Sequence, residues 1–160
     1  MSTVKKIVVL GSVSSGKSAL LRRIRGLPFQ KEEAPTLGLR VSSVMPDHAH
    51  IEKLVFWELT NAGKLEHQPV DYLKGAHACI YVFDLSRPST YLNLNAEINF
   101  LKEVLPGVDI LLVGNKRDLV SKKQCQQLEK ELQSEALHFV SAKRDEQFQP
   151  VLDHLIKRML

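Results

Sequence analysis

The sequence has only two cysteines and no long apolar run. Cys79 lies in an apolar stretch and Cys125 in a polar one, so the 160 residues carry no disulfide framework and fit a reducing compartment. No apolar stretch approaches the roughly 20 residues that span a bilayer. The N-terminal segment also lacks the pattern of a signal peptide. These absences argue against a disulfide-stapled secreted domain and against a membrane-spanning protein.

Signals for lipid attachment are missing as well. Ser2 stands where N-myristoylation requires glycine, and the sequence Lys-Arg-Met-Leu at 157–160 has no cysteine for prenylation. We therefore expect a cytoplasmic chain with no direct membrane anchor, one that reaches a membrane only through a partner.

The positive charge of the chain is spread out. The formal net charge is +4 and the pI is about 9.1. The densest basic clusters, at 22–25 and 122–123, are short and lack interleaved aromatic residues. They are typical of solvated helix faces, so we expect no nucleic-acid partner.

Apolar and amphipathic segments alternate along the chain. An apolar content of 44% and a charged content of 25% are those of one soluble domain, here residues 1–160. The alternation predicts an α/β fold with a mostly parallel sheet and helices on both faces. A turn at Pro46-Asp47 predicts one antiparallel edge strand. The strands are predicted at 5–10, 37–45, 51–59, 78–85, 109–115 and 136–141, and the helices at 17–25, 90–105, 121–134 and 147–160.

A phosphate-binding loop is the strongest motif. The sequence Gly-Ser-Val-Ser-Ser-Gly-Lys-Ser at 11–18 fits G-x-x-x-x-G-K-[ST] and lies between a predicted strand and a predicted helix. Backbone N–H groups at the positive end of that helix can converge on a phosphate. Lys17 adds a full charge and Ser18 can ligate Mg²⁺. The candidate phosphate-binding residues are Val13, Ser14, Ser15, Gly16, Lys17, Ser18 and Ala19.

A second group of residues indicates which base is bound. The Asp118 carboxylate, in Asn-Lys-Arg-Asp at 115–118, can accept hydrogen bonds from N1–H and N2–H₂ of guanine, whereas adenine would leave it unsatisfied. Lys116 can lie over the base and Asn115 can brace the loop. The candidate base-binding residues are Asn115, Lys116 and Asp118, together with Ser141, Ala142 and Lys143, of which Ala142 offers an N–H to guanine O6.

With Pro35-Thr36 between these motifs, the chain resembles the Ras superfamily of small GTPases over nearly its whole length. The phrases Pro-Thr-Leu-Gly-Leu at 35–39 and Phe-Trp-Glu-Leu at 56–59 are similar to the Arf-like and Rab-like branches. The resemblance implies a P-loop NTPase fold with six strands and about five helices. It also implies that GTP or GDP is bound with Mg²⁺ as a molecular switch.

The resemblance also implies roles for individual residues. Lys17 and Thr36 would be catalytic, and Thr36 would complete the Mg²⁺ shell together with Ser18 and Glu58. Effector proteins or subunits of a complex would bind at the two switch regions, 27–45 and 58–75.

The second switch departs from the family pattern D-x-x-G-Q. Aligned without gaps, Glu58 replaces the aspartate, Asn61 the glycine and Ala62 the water-positioning glutamine. A second alignment keeps Gly63 as the glycine, so that Thr60 replaces the aspartate and Lys64 the glutamine. Both alignments lack the glutamine that orients the attacking water, and we therefore expect hydrolysis to be slow or absent.

The phosphate loop departs at its third residue. Val13 stands where many members carry glycine, and its β-branched side chain would crowd the space of a water-orienting residue or an arginine finger. The guanine-binding residues and Lys17 are retained, so the departures affect hydrolysis more than binding.

The sequence also allows other interpretations. The chain could be a pseudo-GTPase that serves as a structural subunit without turnover, while an ATP-dependent kinase is disfavoured by Asp118. Phe56 and Trp57 could form an exposed effector patch or pack in the core. His48 and His50 lack further ligands at zinc spacing.

Overall fold

Strands and helices alternate along the chain as the apolar pattern predicts. The computed structural model describes residues 3–31, 38–59, 70–134, 136–144 and 148–160. The strands are β1 Val4–Gly11, β2 Leu39–Val44, β3 Lys53–Leu59, β4 Ala78–Asp84, β5 Asp109–Asn115 and β6 Leu137–Phe139. The α-helices of the described part are α1 Lys17–Ile24, α2 Leu94–Val104, α3 Lys122–Leu132 and α4 Phe148–Met159.

The six strands form one sheet in the order β2-β3-β1-β4-β5-β6. All neighbours are parallel except β2 and β3, which pair antiparallel from Leu39 opposite Leu59 to Val44 opposite Leu54. The predicted α/β fold with one antiparallel edge strand is therefore confirmed. Four α-helices lie within the described residues, where about five were predicted for the whole chain.

Helices cover both faces of the sheet because its central strands are apolar on both sides. On β1, Ile7 and Val9 pack toward α1 and α4, whereas Val8 and Leu10 pack toward α2 and α3. All of β4 is buried, as expected of a central parallel strand. This two-sided core fixes α1 and α4 on one face of the sheet and α2 and α3 on the other.

The two aromatic residues of β3, Phe56 and Trp57, lie on opposite faces of the sheet. Phe56 is fully buried in the core. Trp57 is half-buried on the other face, where Lys6 Nζ lies 3.8 Å from the ring centre and the Tyr72 ring lies 6.3 Å away. Of the two interpretations left open, core packing applies to Phe56, and only Trp57 reaches the surface.

The helix ends follow local sequence signals. Ser121 and Gln124 form a capping box at the start of α3, which fixes the predicted start of this helix. In α2 the first helical turn begins at Leu94, later than predicted, because Pro88–Thr90 forms a separate 3₁₀ turn. Among the helices within the described ranges, none has the length and apolar character needed to cross a membrane.

Candidate nucleotide-binding site

The phosphate loop joins the carboxyl end of β1 to α1 in a shape that requires glycine at two positions. Gly11 has φ +143°, and a Cβ there would lie 1.9 Å from the Val82 carbonyl oxygen. Gly16 has φ +97°, and a Cβ there would lie 2.0 Å from Nδ2 of Asn115. The two glycines therefore allow the loop to pass close to β4 and β5.

Lys17 is the first residue of α1, and its side chain extends back over the phosphate loop. Its Nζ donates hydrogen bonds to the carbonyls of Gly11, at 2.8 Å, and Ser12, at 3.1 Å. Burial lowers the pKa of Lys17 to about 8, and the negative charge of Glu58 partly opposes this shift. A phosphate group in the loop would favour the charged form further, as expected of a phosphate-binding lysine.

Ser18 and Glu58, two of the residues predicted to ligate Mg²⁺, contact each other in the structure. The Ser18 hydroxyl donates to Oε1 of Glu58, a residue that is 2% exposed. Nη1 of Arg40, on β2, donates to the same Ser18 oxygen at 3.3 Å. A hydroxyl and a carboxylate are the hard oxygen ligands that Mg²⁺ prefers, so this donor set fits the ion. When bound, Mg²⁺ would neutralise phosphate charge.

Asn115 connects the phosphate loop to the base-binding loops. Its Nδ2 donates to the Ser15 carbonyl at 3.1 Å, and its Oδ1 accepts from the Ala142 N–H at 3.2 Å. The structure therefore brings the two motifs together through one buried amide. Because the Ala142 N–H already has a partner, an interaction with guanine O6 would have to share or replace this bond.

Asp118 is held by the second base-binding loop. Its Oδ1 accepts from the Ser141 hydroxyl at 2.7 Å, and its side chain is 7% exposed. Arg23 of α1 orients the same loop by donating to the carbonyls of Ala142, at 2.5 Å, and Lys143, at 3.0 Å. A carboxylate offers about four acceptor positions, so Asp118 can also receive the two donors of guanine.

A cavity of about 390 Å³ lies between these loops. This volume is within the range of ligand pockets. Most of its lining residues are predicted from the sequence as phosphate- or base-binding, but Phe29, Gln30 and Lys31 are predicted only as part of a switch region. The aromatic side chain of Phe29 in the loop after α1 was the available signal. The lining residues are Ser14, Gly16, Ala19, Phe29, Gln30, Lys31, Asn115, Lys116, Asp118, Leu119, Ala142 and Lys143.

A buried carboxylate that the sequence patterns do not indicate supports the candidate site. Asp84 ends β4, accepts from Lys116 Nζ at 2.9 Å and from Arg87 Nε at 2.8 Å, and is 1% exposed. Lys116 and Arg87 also donate to the carbonyls of Ser14, at 3.0 Å, and Val13, at 2.8 Å. Asp84 thus fixes two cations that hold the phosphate loop.

Replacing Asp84 by asparagine is expected to lower the free energy of unfolding at neutral pH by about 2 kcal/mol. Breaking a buried ion pair costs ~3–5 kcal/mol, and the partial exposure of both cations reduces this figure. Burial raises the pKa of Asp84, but hydrogen bonds from Ser86, Lys116 and Arg87 outweigh it, and the net pKa is lowered.

The sign of the pH dependence follows from this lowered pKa. A carboxyl with a depressed pKa contributes stability above its unfolded value of about 3.9 and loses it as the pH falls through the folded value. Urea unfolding should therefore separate wild type from Asp84→Asn near pH 7, and the difference should shrink below about pH 4. Asp153→Asn, at an exposed position of α4, is the control. A difference that is constant with pH would contradict the assigned role.

Ser15 carries a buried hydroxyl in the phosphate loop. The residue is fully buried, and its Oγ has no hydrogen-bond partner among the described residues. Leaving a buried hydroxyl unsatisfied costs ~1–3 kcal/mol. We expect Ser15→Ala to raise the free energy of unfolding of the nucleotide-free protein by about 1 kcal/mol, measured by urea unfolding. A decrease of that size would mean that the hydroxyl is satisfied in solution.

Several predicted site residues lie outside the described residues. These are Thr36 of the first switch, and Thr60, Asn61, Ala62, Gly63 and Lys64 of the second. Their roles stay predictions. Val13 is half exposed, and its proposed effect on hydrolysis also stays a prediction. Within the described ranges, no group of three or more His, Cys, Asp or Glu residues is arranged to hold a metal ion, His48 and His50 included.

Comparison with known proteins agrees with this geometry. The chain is 33% identical over 120 residues to Rab-like protein 2A of Homo sapiens, which covers 74% of this chain and 53% of that protein. It is 35% identical over 114 residues to Rab-like protein 2A of Pongo abelii, covering 71% of this chain and 50% of that protein. Ras-related protein RabC of Dictyostelium discoideum is 27% identical over 161 aligned positions, covering 95% of this chain and 82% of that protein.

The chain spans about half the length of the Rab-like proteins that it matches. The model of the Ras family matches residues 6–160, which include the phosphate loop, both base-binding loops and every strand from β2 to β6. The resemblance that the motifs indicate is therefore confirmed, and the chain belongs to the Ras family of small GTPases.

Proposed function

We propose that this chain is a guanine-nucleotide-binding switch with slow or absent GTP hydrolysis. It binds GTP or GDP with Mg²⁺, and it acts through effector or complex-subunit proteins at the switch regions 27–45 and 58–75. The observation that carries the proposal is the buried amide of Asn115, which joins the phosphate loop to the base-binding loop beside a cavity of about 390 Å³.

Each part of the nucleotide has a corresponding group in this arrangement. The N–H groups of the first turn of α1 have no carbonyl partner within the helix, and Lys17 adds its charge beside them. Asp118 offers acceptors to guanine at the other end of the cavity. Mg²⁺ would be held by Ser18 and Glu58, and by Thr36 if the family pattern holds.

Slow hydrolysis follows from what the sequence lacks. Both alignments of the second switch replace the glutamine, by Ala62 or by Lys64. Without it, no group of the family pattern orients the attacking water, whereas phosphate and base binding depend on other residues. The resting state would then be the GTP-bound one.

The first experiment is to denature the purified protein and identify the released nucleotide by chromatography. We expect GTP, because binding is intact and turnover is slow. Released GDP would show that the chain turns over GTP without the glutamine. ATP would favour the kinase alternative.

The same experiment separates binding from a purely structural role. The Asp118→Asn protein, purified in parallel, should release less guanine nucleotide than the wild type, since its carboxylate can no longer accept from guanine. A wild-type site that is empty and does not take up GTP with Mg²⁺ would favour the pseudo-GTPase subunit.

A further inference from the structure

Arg40 places a cation next to Ser18 and Glu58, the candidate ligands of Mg²⁺. It lies on the edge strand β2, directly opposite Glu58 of β3 in the antiparallel register. Side chains of directly opposed residues share one face of a sheet. Arg40 therefore projects to the side of the sheet on which Glu58 meets Ser18, and its Nη1 donates to the Ser18 hydroxyl at 3.3 Å.

The Ser18 oxygen is shared between these groups. A hydroxyl has one donor and two acceptor positions. Its hydrogen is directed to Glu58, and Arg40 takes one of the acceptor positions. A cation that used Ser18 as a ligand would share this oxygen with the guanidinium and would lie beside a like charge.

We propose that Arg40 makes nucleotide retention in this chain largely independent of Mg²⁺. The guanidinium already donates a hydrogen bond to the Ser18 oxygen, the candidate metal ligand, and it carries a permanent positive charge. Its planar set of N–H donors also matches the geometry of phosphate oxygens. It thus provides part of the charge neutralisation that the ion would otherwise provide. The proposal rests on the proposed function, since it assumes that a nucleotide binds here.

The charges around Ser18 are consistent with this role. Lys17 and Arg40 are cationic and Glu58 is anionic, so these three groups carry a net charge of +1 before any metal is added. Arg40 is exposed at the surface, which leaves its guanidinium accessible to a ligand in the phosphate loop. Its replacement should therefore perturb the site more than the fold.

The test compares nucleotide release with and without the ion. GDP carrying a fluorescent label on the ribose is loaded onto the wild type, Arg40→Gln, Arg40→Lys and the control Arg25→Gln, which removes the same charge at an exposed position. The dissociation rate of each is measured in excess Mg²⁺ and in excess EDTA. The ratio of the two rates measures dependence on Mg²⁺.

We expect EDTA to accelerate GDP release from the wild type by less than ~10-fold. For Arg40→Gln, the rate in EDTA divided by the rate in Mg²⁺ should be at least ~10-fold larger than the same ratio for the wild type, which is the effect expected from loss of a charged hydrogen bond. Arg40→Lys keeps the positive charge but loses the planar, forked arrangement of N–H donors of the guanidinium, so it should give an intermediate ratio. Arg25→Gln should match the wild type. Circular dichroism checks that each variant is folded.

Two outcomes would overturn the proposal and they are distinguishable. If the wild type and Arg40→Gln show the same ratio, Arg40 does not substitute for the ion, while guanine-nucleotide binding stands. If the wild type retains no labelled GDP in either condition, the proposed function fails together with this inference.

Discussion

The Asp118→Asn protein is expected to prefer xanthosine diphosphate over GDP, reversing the selectivity of the wild type. Guanine presents two donors, N1–H and N2–H₂, and a carboxylate accepts both. An asparagine presents one acceptor and one donor group, so its NH₂ would face the guanine amino group without a bond. Xanthine carries a carbonyl at that position, which the asparagine NH₂ can satisfy.

The effect should be large because the mismatch leaves buried polar groups unsatisfied. Asp118 is 7% exposed, and such sites discriminate by ~10⁴-fold or more. The surrounding structure favours an intact fold, since the Ser141 hydroxyl that donates to Asp118 Oδ1 can equally donate to an asparagine oxygen.

Competition binding with the two diphosphates is the measurement. Asp153→Asn makes the same chemical change at an exposed position of α4 and should leave the preference for guanine unchanged. If Asp118→Asn still preferred GDP, Asp118 would not be the residue that recognises the base. The proposed orientation of the nucleotide in the cavity would then be wrong.

The second large effect concerns hydrolysis. In a single-turnover assay, GTP bound to the wild type should be cleaved at least ~10³-fold more slowly than by a GTPase stimulated by an arginine finger. The physical reason for this expectation is that both alignments of the second switch lack the glutamine that orients the attacking water. In addition, Val13 would crowd the space near the γ-phosphate, where many family members carry glycine.

Two substitutions distinguish the two alignments of the second switch. Ala62→Gln restores the glutamine if the ungapped alignment is right, and Lys64→Gln restores it if Gly63 is the switch glycine. One of them should raise the rate by ~10²-fold, the lower part of the range for a positioned acid–base group. Each variant is the control for the other. If neither is faster, or if the wild type is as fast as a stimulated GTPase, the missing glutamine does not limit turnover.

Much of the site could be predicted from local sequence. The glycines and Lys17 of the phosphate loop follow an apolar strand and begin a helix, and this order by itself specifies an anion-binding turn. Asn115 ends another apolar strand and Asp118 follows it, and parallel strands present their carboxyl ends at one edge of the sheet. Their proximity in the structure is what this pattern predicts.

The supporting contacts could not be predicted in the same way. Arg87 donates to Val13, 74 residues away, and Arg23 to Ala142, 119 residues away. No periodicity or turn signal links such positions, because the bonds form only when the sheet brings distant loops together. Asp84 lies within the apolar strand predicted at 78–85, and its role in the site depends on its contacts with Lys116 and Arg87.

The sequence by itself determined the family, the order of strands and helices and the chemistry of the nucleotide loops, because these depend on local periodicity and on glycines, lysines and carboxylates at fixed spacing. The tertiary structure decided the strand order β2-β3-β1-β4-β5-β6, which places the ends of β1, β4 and β5 side by side. It also decided that Arg40 meets Ser18, since the antiparallel register of β2 on β3 brings Arg40 opposite Glu58. Such contacts arise from packing between distant segments, and only the assembled sheet contains that information.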